Sequence, residues 1–247
     1  MSTLAAAPPE APAARFLTAE WRTLVMLNYA VDPAVLRPHV PRGTELDAWN
    51  GTTFVSVVGF LFLGTRLLGV PVPLHRDFEE VNLRFYTGRR GPEGWRRGVT
   101  FIREIVPRVA IATIARAIYN EPYVALPMRH RVDVGGGHAQ YGWRHRGRWC
   151  SVRARFGGEP RPLEPGSEAE FITEHYWGYT AQRDGGTVEY RVEHPPWRVW
   201  EAAEAALDCD AVALYGPAFA EALAGPPASA FVAEGSPVVV RRARRIA

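Results

Sequence analysis

The chain has no lysine: all 29 of its Lys+Arg residues are arginine. With no side-chain amine to form a Schiff base, imine chemistry through a lysine is excluded. The accompanying wealth of Ala, Gly and Pro gives a plain cause, a GC-rich genome. Cysteine is scarce as well. Cys150 and Cys209 stand alone, lack metal-type spacing, and read as free thiols in a reducing cytoplasm. The seven histidines show no HxH or HExxH spacing, so neither a metal site nor any other cofactor is expected. No apolar run is long enough to span a membrane; the best, 54–63, has the length of a strand. No positively charged segment followed by an apolar run opens the chain, so a signal peptide is not expected.

What is present suits a β-rich fold. Hydrophobic residues make up 47% of the 247 positions, enough for a real core. Residues 1–14 are Ala/Pro-rich and read as a disordered tail; 15–247 show no repeat or boundary and read as one domain. Strands are expected at 21–30, 53–63, 79–87 and 99–104, then in a meander at 129–134, 139–145 and 149–156. Later strands are expected at 171–181, 187–194 and 236–245. Residues 64–77 read as a loop and 88–98 as a charged turn. Asp32 and Pro33 start a short helix that runs to about His39. Residues 197–207 suit helix or strand equally, and 211–223 suit a helix.

The stretch 99–128, VTFIREIVPRVAIATIARAIYNEPYVALPM, organises the rest. A strand leads into a short helix opened by Pro107, and a turn at Asn120-Glu121-Pro122 presents Tyr123. Its charges are dense for so apolar a segment. Buried charges must be paired, which places this stretch beside the polar centre of the fold. Within 79–87 the alternation is clean: Val81, Leu83 and Phe85 share one face, while Glu80, Asn82, Arg84 and Tyr86 share the other. The first face is core, and the second meets solvent or a polar cavity.

The ordered stretches RTLVMLNYAVDPAVLRPHVP, FEEVN and ARAIYNEPY resemble the acetoacetate decarboxylase superfamily. Together with FITEHYWGYT, EYRVEHPPW and AEGSPVVV, they resemble more closely the uncharacterised bacterial YqjF-like family within it, over residues 16–246. The resemblance implies a mainly antiparallel β fold with few helices around a closed, cone-shaped barrel. It also implies a lumen holding an arginine, matched by Arg22, and a glutamate, matched by Glu80. The family's lysine pair falls at Tyr123 and Val124 here. The imine mechanism is thereby lost.

Each candidate has a plain alternative. Arg22 could bind a carboxylate through its planar fork or pair with Glu79 or Glu80. Glu80 could move a proton if burial raises its pKa, or it could be a solvated edge residue. Tyr123 could donate to a carbonyl or simply pack. Arg84, Arg116, Tyr119 and His175 complete the candidate substrate-binding set. Structurally, Arg84 would pair with Glu80, and Arg103 and Arg116 with Glu104 and Glu121. The basic, aromatic meander could contact nucleic acid, but the net charge of +3 argues against it. Three functions compete. One is a lysine-independent lyase, hydratase or isomerase acting on an oxo or hydroxy acid. Another is a non-catalytic barrel for an organic acid or lipid-like ligand, and the third is a filled structural barrel. The partner expected is a small molecule bearing a carboxylate or carbonyl, with no nucleic acid or membrane. Eight tryptophans and long apolar strands favour a homodimer.

Overall fold

A computed structural model describes residues 13–72, 75–110, 112–113 and 120–247. Most of the expected N-terminal tail, and the candidates Arg116 and Tyr119, lie outside the described residues. The strands in chain order are β1 (Arg15–Val31), β2 (Glu45–Leu46), β3 (Thr53–Leu67), β4 (Val70–Pro71), β5 (Phe78–Gly91), β6 (Gly94–Val106), β7 (Tyr123–Ala125) and β8 (Met128–Asp133). They continue as β9 (His138–His145), β10 (Arg148–Phe156), β11 (Trp177–Ala181), β12 (Thr187–Glu193), β13 (Val199–Asp208), β14 (Ser229–Arg241) and β15 (Arg244–Arg245). Four short α-helices are described: α1 (Pro33–Leu36), continued by a 3-10 turn at Arg37–His39, α2 (Glu168–Thr173), α3 (Ala211–Tyr215) and α4 (Pro217–Ala224).

The fold is a closed β barrel. Its strands run in the order β12-β11-β6-β5-β3-β1-β14, and β14 returns to β12 through Val192 opposite Val240 and Glu193 opposite Val239. Neighbours are antiparallel except where β6 meets β11 and β7, which are parallel to it. β13 pairs with β14 at one end and with β10 at the other, so the sheet continues to β10, β9 and β8, which form a second layer.

The two faces of each barrel strand have different fates because side chains alternate. Val55 and Val57 of β3, with Val81, Leu83 and Phe85 of β5, face outward. They pack on Tyr141, Trp143 and Val152 of the second layer and on Leu214 and Phe219 of α3 and α4. Gly59 allows this close approach, since a Cβ there would lie 2.7 Å from the Tyr141 ring. The opposite faces, with Phe54, Val58, Phe60, Phe62 and Phe78, turn into the barrel.

Several elements depart from the sequence reading. β3 continues to Leu67 and turns back as β4, where a loop was expected. The charged segment 88–98 is mostly strand: β5 and β6 pair up to Gly91 and Gly94. Residues 171–181 are not one strand, because α2 occupies Glu168–Thr173. Ser167 caps that helix, its Oγ accepting from the Glu170 amide at 3.1 Å; the Ser-x-x-Glu spacing is a helix-start signal. Gly216, at φ 89°, breaks the helix expected over 211–223 into two. Residues 199–208 are strand. At the other end, Asp32 caps α1 as its sequence implies, accepting from the Ala34 amide at 2.7 Å.

Candidate functional site

The barrel holds a cavity of about 190 Å³. Its walls are largely aromatic, with Trp21, Phe60, Phe62, Phe78 and Trp197 among them. The inward face of β5 brings Glu80, Asn82 and Arg84 into it, so the alternating polar face meets the cavity and not solvent. Glu80 is 2% exposed.

Register then builds a polar wall. Glu104 of β6 stands opposite Asn82, and Tyr123 of β7 stands opposite Glu104. Asn120, at φ 57°, makes the turn that delivers Glu121 and Tyr123. Glu80 accepts two hydrogen bonds, from Asn82 Nδ2 to Oε1 at 2.9 Å and from the Tyr123 hydroxyl to Oε2 at 3.1 Å. Glu121 Oε1 accepts from the Thr180 hydroxyl at 2.6 Å and the Tyr190 hydroxyl at 2.9 Å. Gly178 makes room for that tyrosine: a Cβ there would stand 2.1 Å from its ring.

Three carboxyls this close and this buried cannot all ionise freely. Burial lifts Glu80 to about 7, with Asn82 and Tyr123 pulling the other way. Burial also lifts Glu121 to about 7 against its Thr180 and Tyr190 donors. Glu104 is held well above the ordinary carboxylate range by burial, then by the charges of Glu121 and Glu80. Tyr123 is raised far above a normal phenol by burial and by the same carboxyls, so it remains a proton donor. The wall therefore has a carboxyl that can give or take a proton near neutrality, with a phenol bound to it.

Arg84 and His175 line the same cavity. Arg84 is 8% exposed; its Nη2 donates to the Ile172 carbonyl at 3.4 Å, and its buried Nε has no partner. It forms no ion pair with Glu80 among the described residues. His175 lies between α2 and β11, 4.6 Å from the Tyr86 ring centre. Burial pushes it down to about 4 despite Asp47, whose Oδ2 is 3.4 Å away, so the imidazole is neutral at pH 7.

Arg22 corrects the sequence reading. It does not line the cavity, and it meets neither Glu79 nor Glu80. Its side chain is 39% exposed and pairs with Glu20 at 2.7 Å. The cause is a bulge in β1 between Arg22 and Val25, with Thr23 at φ 53°. An extra residue in a strand shifts the faces of everything beyond it. Trp21 and Leu24, three positions apart, both reach the cavity as a result, and Arg22 is turned out. Arg103 also departs from expectation: it pairs with no carboxylate among the described residues and is close enough to influence Tyr215 in the outer layer. Glu104 and Glu121, assigned in the sequence to ion pairs, are instead members of the wall. Tyr190 was not singled out at all. The signal for Glu104 and Glu121 was the density of charge in the apolar stretch 99–128. Among the described residues, no group of three or more His, Cys, Asp or Glu is arranged to hold a metal ion, and no helix is long and apolar enough to cross a membrane.

A closed, mainly antiparallel ring around such a cavity defines an acetoacetate decarboxylase-like barrel. Acetoacetate decarboxylase from Legionella pneumophila matches with a TM-score of 0.67 at 15% identity, over 99% of this chain and 93% of that one. The enduracididine biosynthesis enzyme MppR, solved with pyruvate, matches at 0.66 and 14% identity, over 100% and 95%. An acetoacetate decarboxylase-like enzyme from Sphingomonas wittichii RW1 matches at 0.62 and 14%, over 97% and 96%. At these identities the likeness is one of fold. The chain itself belongs to the DUF2071 family, described as an uncharacterized conserved protein, which matches residues 18–237. The uncharacterized protein YqjF of Bacillus subtilis (strain 168) is 29% identical over 199 residues, 78% of this chain and 78% of that protein.

Proposed function

We propose that this barrel is a lysine-independent lyase, hydratase or isomerase acting on an oxo or hydroxy acid, and not an acetoacetate decarboxylase. One observation carries the reading: the Tyr123 hydroxyl lies 3.1 Å from Glu80 Oε2 inside a largely apolar cavity. In this reading Arg84 takes the role first considered for Arg22 and holds the substrate carboxylate. Its unpartnered Nε supports that role. Arg84 lies four positions along the strand from Glu80, roughly 13 Å between Cα atoms. The carboxylate therefore sits several bonds from the reacting carbon. Glu80 takes a proton from the carbon next to the carbonyl, and the Tyr123 O–H hydrogen-bonds to the oxygen that gains charge. Return of the proton to a different carbon isomerises the substrate. Its delivery to a departing hydroxyl releases water instead. The complex of MppR with pyruvate, an oxo acid, supports the substrate class.

The test is solvent deuterium uptake, followed by proton NMR, across a panel of oxo and hydroxy acids. Uptake catalysed by the native chain should fall at least about 100-fold in Glu80→Gln, the usual scale for losing a general base. Equal uptake in both proteins would overturn the assignment. Ligand binding with no uptake in either protein would favour the non-catalytic barrel.

A further inference from the structure

Three acceptors of the polar wall are met by no amide, hydroxyl or guanidinium of the chain. Glu104 Oε2, Glu121 Oε2 and Asn82 Oδ1 are buried and have no hydrogen-bond partner. All three residues line the cavity and are no more than 5% exposed. The hydroxyls that face the wall, and one N–H of the Asn82 amide, are already committed. Asn82 Nδ2 and the Tyr123 hydroxyl go to Glu80, and the Thr180 and Tyr190 hydroxyls go to Glu121 Oε1. A proton shared between Glu104 and Glu121 would leave Asn82 Oδ1 unmet. A water molecule brings two hydrogens to three acceptors.

We propose that Asn82, Glu104 and Glu121 form a recognition site for a primary ammonium group, and that the ligand of this cavity is an amine with an apolar body. An ammonium carries three N–H donors, one for each orphaned oxygen. Its positive charge meets two carboxyls in a chain that has no amine side chain to offer them. The neutral acceptor, Asn82 Oδ1, makes the site more than an acidic cluster. An unsatisfied amide oxygen buried at 2% exposure calls for a donor from outside the chain. The aromatic walls, Phe60, Phe62, Phe78 and Trp21, accept the apolar remainder. The inference rests on the preceding reading only in taking the cavity as the place where the ligand binds. If both hold, the acid acted upon also carries an amine, with its carboxylate at Arg84 and its ammonium at the wall.

Three probes of nearly equal shape separate these ideas: phenethylamine, 2-phenylethanol and phenylacetate, each titrated calorimetrically into the full chain. Phenethylamine should bind at one site per chain, at least about ten-fold more tightly than the alcohol. The paired substitution Glu104→Gln with Glu121→Gln should remove that advantage, whereas Arg84→Met should weaken phenylacetate only. Equal binding of amine and alcohol to the native chain overturns the proposal, whatever becomes of the variants. Amine binding unchanged in the folded double variant overturns it too. Binding of phenylacetate without the amine overturns the ammonium site and leaves the oxo-acid reading standing. No binding by any probe overturns the ammonium site, while the oxo-acid reading is decided by deuterium uptake.

Discussion

Replacing Glu80 with glutamine should change how stability depends on pH, in a direction fixed by burial. In the folded chain the Glu80 carboxyl sits at about 7 against an ordinary 4.5. Between those values the native protein keeps a proton that the unfolded chain has released. Stability therefore falls as pH rises through that window. At roughly 1.4 kcal/mol per pH unit, the loss is about 3 kcal/mol by pH 7. Glutamine carries no such proton. Its amide can accept from Asn82 Nδ2 and donate to the Tyr123 oxygen, which conserves the local bonding. The native curve alone is a poor witness, because His175 acts in the opposite sense. That group is held at about 4 against 6.5, so its contribution is lost as pH falls. The decisive quantity is the difference between variant and native chain, in which His175 cancels. Urea unfolding at intervals from pH 4.5 to 7.5 should show the variant gaining about 3 kcal/mol on the native protein. A difference that stays constant across this range, or runs the other way, would refute the buried, proton-holding Glu80.

Two further outcomes test other parts of the reasoning. Glu189 is fully buried and accepts from Arg96 Nη1 at 2.6 Å, Arg244 Nε at 2.7 Å and Arg89 Nε at 2.8 Å; Glu189→Gln should cost about 3–5 kcal/mol in urea unfolding, and a loss below about 1 kcal/mol would show that the arginines re-pair. Borohydride added with acetoacetate or pyruvate should leave the intact mass of untagged protein unchanged, because no lysine is available to form a reducible imine; a stoichiometric adduct within residues 16–246 would contradict the proposed chemistry.

Much of the site was legible where strands run without interruption. β5 keeps an unbroken register against β3 from Phe78 to Phe85, so the alternation of Glu80, Asn82 and Arg84 translates directly into three side chains in the cavity. Arg22 failed for a matching reason. Counted back from Asn28, alternation puts Arg22 inside with Met26 and Leu24. One extra residue at the Thr23 bulge reverses that assignment. Bulges often announce themselves through glycine at positive φ. Here the positive φ in β1 falls on a threonine, and the glycine at positive φ is Gly235, opposite Arg22 on a strand more than 200 residues away. Nothing local to Arg22 marks the site. The split of 171–181 into helix and strand is a different case, since Ser167 and Glu170 spell a cap in the sequence itself.

The pairing of Arg103 with Glu104 was excluded by elementary strand geometry. Successive side chains of a strand point to opposite faces, so one of this pair had to enter the barrel and the other had to leave it. Glu104 enters and loses its adjacent cation to the outer layer. Strand pairing then sets it beside Asn82 and Tyr123, with Glu121 near. Each neighbour either competes for protons or spends its donor elsewhere. A strand that carries alternating charges into an apolar barrel thus sorts them by sign. This barrel sorts acids inward at Glu104 and acceptors inward at Asn82. In a chain without lysine, the charge balance of that wall falls to protons, to Arg84 and to what the ligand brings. The carboxyls near 7 and the three unpartnered oxygens are two consequences of that one sorting. Calorimetry with an amine and unfolding across pH therefore probe the same wall from its two sides.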